Sequence, residues 1–140
     1  MIAFDSNGCV NCRICEAVCS YRFAGGFRPA VAAIRLERAG RFGQIRARRC
    51  NLCHGVDGGP VCVAVCPSGA LSLSGLDGDV GRVVRFDPDL CIDCHACVDD
   101  CPEGAVAHQP EAGAYNICDL CGGDPACVRW CPEGVLSIAA

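Results

Sequence analysis

Residues 91–102 read Cys-Ile-Asp-Cys-His-Ala-Cys-Val-Asp-Asp-Cys-Pro. The four thiols Cys91, Cys94, Cys97 and Cys101 follow C-x2-C-x2-C-x3-C, and Pro102 closes the run. The pattern recurs on both sides. Cys9, Cys12, Cys15 and Cys19 repeat the spacing without the proline, since Ser20 follows. Cys50, Cys53, Cys62 and Cys66, then Pro67, keep the C-x2-C opening and the C-x3-C close but stretch the middle gap to eight residues. Cys118, Cys121, Cys127 and Cys131, then Pro132, stretch it to five. Together these groups account for all sixteen cysteines of the 140-residue chain.

Three closely spaced thiolates plus a fourth before proline is the ligand run of [4Fe–4S] clusters, in which the fourth Cys serves the other cluster of a pair. At four thiolates per cluster, sixteen cysteines predict four clusters. The spacing has a physical reason. A C-x2-C-x2-C loop wraps three corners of one cubane with its amides free to bond sulfur. The closing C-x3-C places two thiolates on one face of a helical turn, and the proline stops that turn from continuing as a regular helix. Helix starts are expected in groups two and four as well. Asp124-Pro125 offers an N-cap and a first-turn proline before Cys127, and Gly59-Pro60 does similar work before Cys62.

Two other uses of dense cysteine fit less well. A disulfide framework belongs to small secreted chains, and the start MIAFDSNGC has neither a basic nor a long apolar leader segment, so a cytoplasmic chain is expected. Structural zinc favours two separated C-x2-C knuckles, which only group two approaches. Hydrophobic residues make up 51% of the chain, but that figure includes the sixteen Cys, and aromatics are only 6%. The organic core is thin, so metal binding should supply folding energy. No run of eighteen apolar residues occurs, and no membrane insertion is expected.

Charge is divided along the chain. All twelve basic residues are Arg. Residues 1–49 hold nine Arg against three acids, a net +6, and residues 50–140 hold three Arg against thirteen acids, a net −10. An oxidised cubane with four thiolates carries about −2 overall. The arginines therefore suit compensation of cluster charge and a docking face for a partner, beyond an ordinary solvated surface.

An internal repeat organises the rest. Residues 66–73 (CPSGALSL), 101–108 (CPEGAVAH) and 131–138 (CPEGVLSI) are variants of one ligand–turn–strand unit. Hairpins are expected from 70–74 through Gly75–Gly81 to 82–87, and from 105–108 through 109–113 to 114–117. The insert 21–49 suggests a third, with alternation at Ile34–Glu37 and Gln44–Arg46 and a turn near Gly40–Gly43.

The whole chain resembles the four-cluster iron–sulfur subunits of multi-subunit oxidoreductases, the ferredoxin-like partners of molybdenum or tungsten pterin enzymes and of some hydrogenase and formate systems. Two segments, 8–20 (GCVNCRICEAVCS) and 118–132 (CDLCGGDPACVRWCP), are similar to subunits that accompany tungsten aldehyde oxidoreductases. The resemblance implies an α+β fold of two nested bacterial-ferredoxin-like dicluster modules around four cubanes: module A from 1–23 plus 114–140, an inserted hairpin 24–49, and module B from 50–113, in one domain. It also implies a ligand pairing. Cys9, Cys12 and Cys15 would share a cluster with Cys131, and Cys118, Cys121 and Cys127 with Cys19. Cys50, Cys53 and Cys62 would share one with Cys101, and Cys91, Cys94 and Cys97 with Cys66. Spacing alone supports three plus one without choosing nested over sequential pairing.

The implied function is a non-catalytic relay of single electrons. Its partners would be a larger tungstopterin or molybdopterin subunit and a second redox partner, such as a flavin subunit or a soluble ferredoxin. Copies stacked end to end are also conceivable. A stand-alone polyferredoxin shuttle, a hydrogenase-, formate- or DMSO-reductase-type subunit, and a regulatory iron–sulfur protein are the alternatives. A sensor needs one labile cluster and an output domain, and this sequence offers neither. No nucleophile–base pair, phosphate loop or nucleic-acid motif is present. His54 and His95 are expected to stand beside the clusters without ligating, His108 to be structural, and Trp130 and Tyr115 to pack. Asp99-Asp100 reads as a solvated acidic patch, and Gly122-Gly123 as a turn within a ligand loop.

Overall fold

Each closing C-x3-C sets a short helix, and the residue after it decides how far that helix runs. In the computed structural model, which describes residues 1–76 and 81–139, α1 spans Ile14–Ala24 and carries both Cys15 and Cys19. With Ser20 in place of proline, it continues to a left-handed Gly25 whose amide bonds the Tyr21 carbonyl at 2.8 Å. The other three stop short. Helix α2 covers Val61–Val65, α3 Ala96–Asp99 and α4 Ala126–Arg129. Cys66, Cys101 and Cys131 therefore lie just past their helices, not on them, because the proline that follows each one forbids another turn.

The expected proline starts shift by one residue. Pro60 and Pro125 stand before the first helical residue and give their carbonyls to Ala64 and Arg129 at 3.2 Å. Asp124 does not cap α4. It pairs instead with Arg129 at 2.6 Å.

After each Cys-Pro-x-Gly turn comes a strand. Gly69, Gly104 and Gly134 all have positive φ, between 56° and 70°, a conformation in which a side chain is strained. Strand β4 (Leu71–Gly75) pairs antiparallel with β5 (Arg82–Phe86), with Leu71 opposite Phe86. Of the turn expected between Gly75 and Gly81, residues 77–80 lie outside the described residues. Strand β6 (Ala107–Gln109) pairs with β7 (Ala114–Asn116). The insert forms its hairpin one or two residues later than the alternation suggested, β2 (Arg35–Arg38) against β3 (Ile45–Arg48). The last repeat, β8 (Leu136–Ile138), forms no hairpin with a following strand among the described residues. It pairs with β1 (Ile2–Phe4) from the other end of the chain, Ile2 opposite Ile138.

Two small cores result, each built partly of sulfur. One gathers Ile2, Cys15, Ile34, Leu36, Ile45, Val83, Leu120, Cys127 and Leu136. The other gathers Cys62, Leu71, Val84, Val106, Tyr115 and Ile117. Helices α1 and α4 pack together, as do α2 and α3. Adjacent Val83 and Val84 on β5 point to opposite faces, so one strand supplies a residue to each core.

The insert is held by a buried charge. Glu16 is 1% exposed. Its carboxylate accepts from Arg13 Nη1 at 3.1 Å and from the Leu36 amide at the start of the hairpin, and Arg13 Nη2 donates to the Leu36 carbonyl at 3.3 Å. Glu16→Ala is expected to lower stability by about 3 kcal/mol, because it orphans a buried amide and a charged partner. Glu16→Gln, which keeps an acceptor, should cost less. Denaturation midpoints of the two variants check this order.

Candidate metal centres

Left-handed residues shape all four ligand loops. In the unstretched groups they fall two and four positions after the first Cys: Asn11 and Arg13, then Asp93 and His95, with φ between 57° and 64°. In the stretched groups they are consecutive: Leu52 and Cys53, then Leu120 and Cys121. Such φ reversals turn successive amides toward one concave side, a geometry that favours anions. Some of those amides already bond sulfur. Asp93 N–H donates to Cys91 Sγ at 3.4 Å, and Val61 N–H to Cys53 Sγ at 3.4 Å. Fourth-position sulfurs receive similar bonds, Cys101 from Ala105 N–H at 3.3 Å and Cys19 from Ala33 N–H at 3.2 Å.

Asn51 and Asp119 are residues that the sequence reading passed over. Each is the first residue inside a C-x2-C pair, and each side-chain Oδ1 accepts the amide of the second Cys at 2.9 Å. An Asn or Asp two residues before a left-handed position is an Asx-turn signal, so the sequence held the clue.

The fold brings together cysteines that are far apart in sequence. Cys9, Cys12 and Cys15 line one apolar cavity with Cys131. Cys66 lines a second with Cys91, Cys94 and Cys97. Cys50, Cys53 and Cys62 line a third with Cys101. The remaining four lie together around Cys127. Burial first, then the sulfurs of Cys118, Cys19, Cys121 and Cys15, push the Cys127 thiol well up. The donor chemistry of each set, four thiols against apolar walls, fits a soft, sulfur-bridged iron cluster.

Burial sets the acidity of these thiols. It lifts Cys15 to about 12, helped by the Glu16 carboxylate, and Cys62 to about 12, helped by Cys50, Cys101 and Cys53. Cys97 rises to about 11 and Cys118 to about 12, again mainly through burial. Cys66 goes the other way. Against the effect of burial, the Ser68 hydroxyl and the amides of Leu71, Ala70 and Ser68 stabilise its thiolate. Ligation by iron requires thiolates, so filling the buried sites must release protons.

The remaining candidates separate clearly. His54 is exposed beside Cys53. Asp99 and Asp100 are exposed, as expected of a solvated patch, and Gly122-Gly123 turn within the fourth ligand loop. Tyr115 is buried and donates its hydroxyl to Asp93. Trp130, the residue that follows α4, departs from expectation: it is 60% exposed and belongs to neither core. His95 and His108, on different elements, both face Asp93.

Several arginines of the positive segment are spent within the molecule. Arg22 pairs with Asp119 at 3.0 Å, Arg28 with Glu111 at 2.7 Å, and Arg48 with Glu37 at 2.6 Å. The half-buried Arg35 reaches the Gly104 carbonyl beside Cys101. Arg38, Arg41 and Arg46 remain exposed on the β2–β3 hairpin, and its tip residue Phe42 is 92% exposed and lies near Cys9.

Known proteins agree with this chemistry. Two models, each described as a 4Fe-4S dicluster domain, match residues 49–105 and 83–133. The chain thus carries 4Fe–4S dicluster ferredoxin domains, and its homologues are iron–sulfur subunits of oxidoreductases. It is 39% identical, over 88% of its length, to the polyferredoxin-like subunit of an aliphatic sulfonate oxidoreductase from Pyrococcus furiosus. It is 34% identical over 88% to the beta subunit of an NADH-dependent phenylglyoxylate dehydrogenase from Aromatoleum evansii. It is also 32% identical over 84% to a probable anaerobic dimethyl sulfoxide reductase chain, YnfG, of Escherichia coli. It spans 66%, 26% and 58% of these relatives' own lengths, respectively. Among solved structures, a chain of the BamBC active-site complex of benzoyl coenzyme A reductase shares the fold, with a TM-score of 0.52 at 24% identity, covering 99% of this chain and 78% of that one. The two domain matches and sixteen cysteines fit four [4Fe–4S] clusters. No helix among the described residues is long and apolar enough to cross a membrane.

Proposed function

We propose that this chain is an electron-transfer subunit with four [4Fe–4S] clusters held in nested fashion. Cys9, Cys12, Cys15 and Cys131 form one ligand set, and Cys118, Cys121, Cys127 and Cys19 the next. Cys50, Cys53, Cys62 and Cys101 form the third, and Cys91, Cys94, Cys97 and Cys66 the fourth. The observation that carries the reading is the convergence of three neighbouring thiols and one distant thiol on each of three apolar cavities. Each cluster, when bound, takes up and gives back one electron, and four thiolate ligands leave no iron site open to a substrate.

Adjacency supports an order for the sets. Helix α1 carries Cys15 of the first set and Cys19 of the second. The sulfurs that bear on Cys118 include Cys50, which links the second set to the third. Helix α2 carries Cys62 of the third and ends at Cys66 of the fourth. The first and fourth sets are then the two ends of a series. The exposed Val10, Ile14 and Phe42 lie beside the first, and Leu90 and Ile92 beside the fourth.

The catalytic partner we favour is a tungstopterin aldehyde oxidoreductase, on the similarity of residues 8–20 and 118–132. A molybdopterin enzyme is the runner-up. A flavin subunit or soluble ferredoxin would meet the other end. In reconstitution, the catalytic subunit should reduce an artificial acceptor without this chain but lose coupling to its physiological acceptor. If the chain alone oxidises an aldehyde, or coupling survives without it, the proposal fails. Anaerobically purified protein should hold about sixteen irons and sixteen sulfides. Stoichiometric zinc in their place, or close to eight irons, would refute four clusters.

The β2–β3 hairpin is our candidate for the face that meets an acidic surface on the catalytic subunit. Phe42→Ala is expected to weaken that docking by about tenfold. Arg38→Glu with Arg41→Glu should slow association and remove most of its salt dependence. Stopped-flow association across ionic strength checks both. Unchanged rates in the double variant would place the interface elsewhere.

A further inference from the structure

Asp93, His95 and His108 converge outside the cysteine sets. Asp93 and His95 lie within the third ligand loop, and His108 lies on β6. One ligand atom from each residue falls within 4.8 Å of those of the other two. His108 Nε2 is 3.6 Å and His95 Nε2 3.8 Å from the same oxygen, Asp93 Oδ1. These separations are too long for hydrogen bonds. They approach the spacing of about 3.3 Å between tetrahedral ligands bonded at about 2.0–2.1 Å to one ion. We propose that Asp93, His95 and His108 bind a divalent borderline transition-metal ion, of which Zn²⁺ is the type, beside the ligand set of Cys91, Cys94, Cys97 and Cys66.

The surroundings are built for it. The His108 ring stacks on Tyr115, with centroids 4.6 Å apart and planes at 18°, and His95 meets His108 edge-on at 4.5 Å. Both imidazoles are thus oriented by packing. The Tyr115 hydroxyl bonds Asp93 Oδ1 and fixes the carboxylate while leaving it a lone pair. Two imidazoles and a carboxylate are the nitrogen and oxygen donors such ions prefer. His108 is 23% exposed, His95 43% and Asp93 65%, so an ion can enter from solvent and keep a water. Its positive charge next to the Cys91 set would raise the reduction potential of the cluster there. That last consequence rests on the ligand set proposed above, whereas the binding site does not.

The test uses the anaerobic holoprotein dialysed against buffered Zn²⁺. One tightly held zinc per chain is expected, with the iron count unchanged. Asp93→Asn and His95→Asn keep residues that tolerate the left-handed backbone at both positions, and His108→Gln keeps a polar side chain on the strand. Each should lose the zinc with its iron intact. Tyr115→Phe should weaken binding by about tenfold. Zinc K-edge absorption should show imidazole and oxygen ligands, and one cluster potential should move upward on zinc addition in the parent only. No retained zinc, zinc held equally by all variants, or sulfur in its shell would overturn the site. A zinc site without a potential shift would leave the binding proposal standing and remove the proposed coupling to the Cys91 set.

Discussion

Stripping iron from the chain is expected to unfold it. The cysteines are built into the cores, Cys15 and Cys127 in one and Cys62 in the other. Bound iron therefore supplies folding energy that the iron-free chain lacks. Total stability of a small domain is only about 5–15 kcal/mol, so losing that contribution leaves no margin. The cores cannot make up the loss. Each consists of a few aliphatic residues interleaved with cysteines, and among the described residues each sheet is two strands wide, too small to stand alone. Anaerobic chelation, followed by circular dichroism and amide exchange, should show loss of the strand signal and of protection together. Amides in β2 and β4 that stayed protected in the iron-free chain would mean that the organic core is sufficient.

The sequence carried the ligand chemistry more completely than the architecture, for reasons visible in particular residues. Cysteine spacing is local, so the four groups, their loops and the three Cys-Pro-x-Gly strands could be read directly. The β4–β5, β6–β7 and β2–β3 hairpins were legible because each strand lies close in sequence to its partner. Strand β1 was not. Ile2–Phe4 is a three-residue segment whose partner Leu136–Ile138 lies at the opposite end of the chain, and nothing local marks it as a strand. The lengths of the helices depended on a single residue, Ser20 against Pro67, Pro102 and Pro132. That difference was in view, but its consequence, an eleven-residue α1 against helices of four or five, needs the backbone geometry of Gly25 to complete it.

The charge division was legible in the sequence, but not which arginines pair. The arginine excess of residues 1–49 suggested a docking face, yet Arg22 and Arg28 reach Asp119 and Glu111. The opposed charges of the two segments therefore partly close on each other, whereas Arg38, Arg41 and Arg46 of the hairpin stay exposed. Glu16 is one of the three acids of residues 1–49, and nothing in the sequence marks it as buried. Its burial depends on a hairpin twenty residues away, which no local pattern records. The pairing of His95 with His108 is hidden for the same reason, since His108 lies on β6 and only the fold brings both to one carboxylate.

Replacing Cys19 with Ala is expected to damage a site whose other members lie a hundred residues away. In sequence Cys19 belongs with Cys9, Cys12 and Cys15, and a sequential pairing would put the damage there. The fold argues otherwise. Cys15 and Cys19 sit one helical turn apart on α1. Cys15 faces the cavity shared with Cys131, whereas Cys19 lies among the sulfurs that bear on Cys118 and Cys127 and takes a bond from the Ala33 amide of the insert. Under the nested reading, Cys19→Ala removes one ligand from the second set in the series and should lower iron from about sixteen to about twelve, or leave one altered cluster. Cys9→Ala strikes an end set, and its loss should spare transfer between the other three. The two variants therefore make different demands on the same assay. Cys19→Ala should nearly abolish transfer from one end to the other while a reductant still reaches the terminal sets. Low-temperature electron paramagnetic resonance, compared between Cys19→Ala and Cys118→Ala, should show the same signal lost in both. Matching loss in Cys19→Ala and Cys9→Ala, with Cys118→Ala distinct, would establish sequential pairing and dismantle the proposed series.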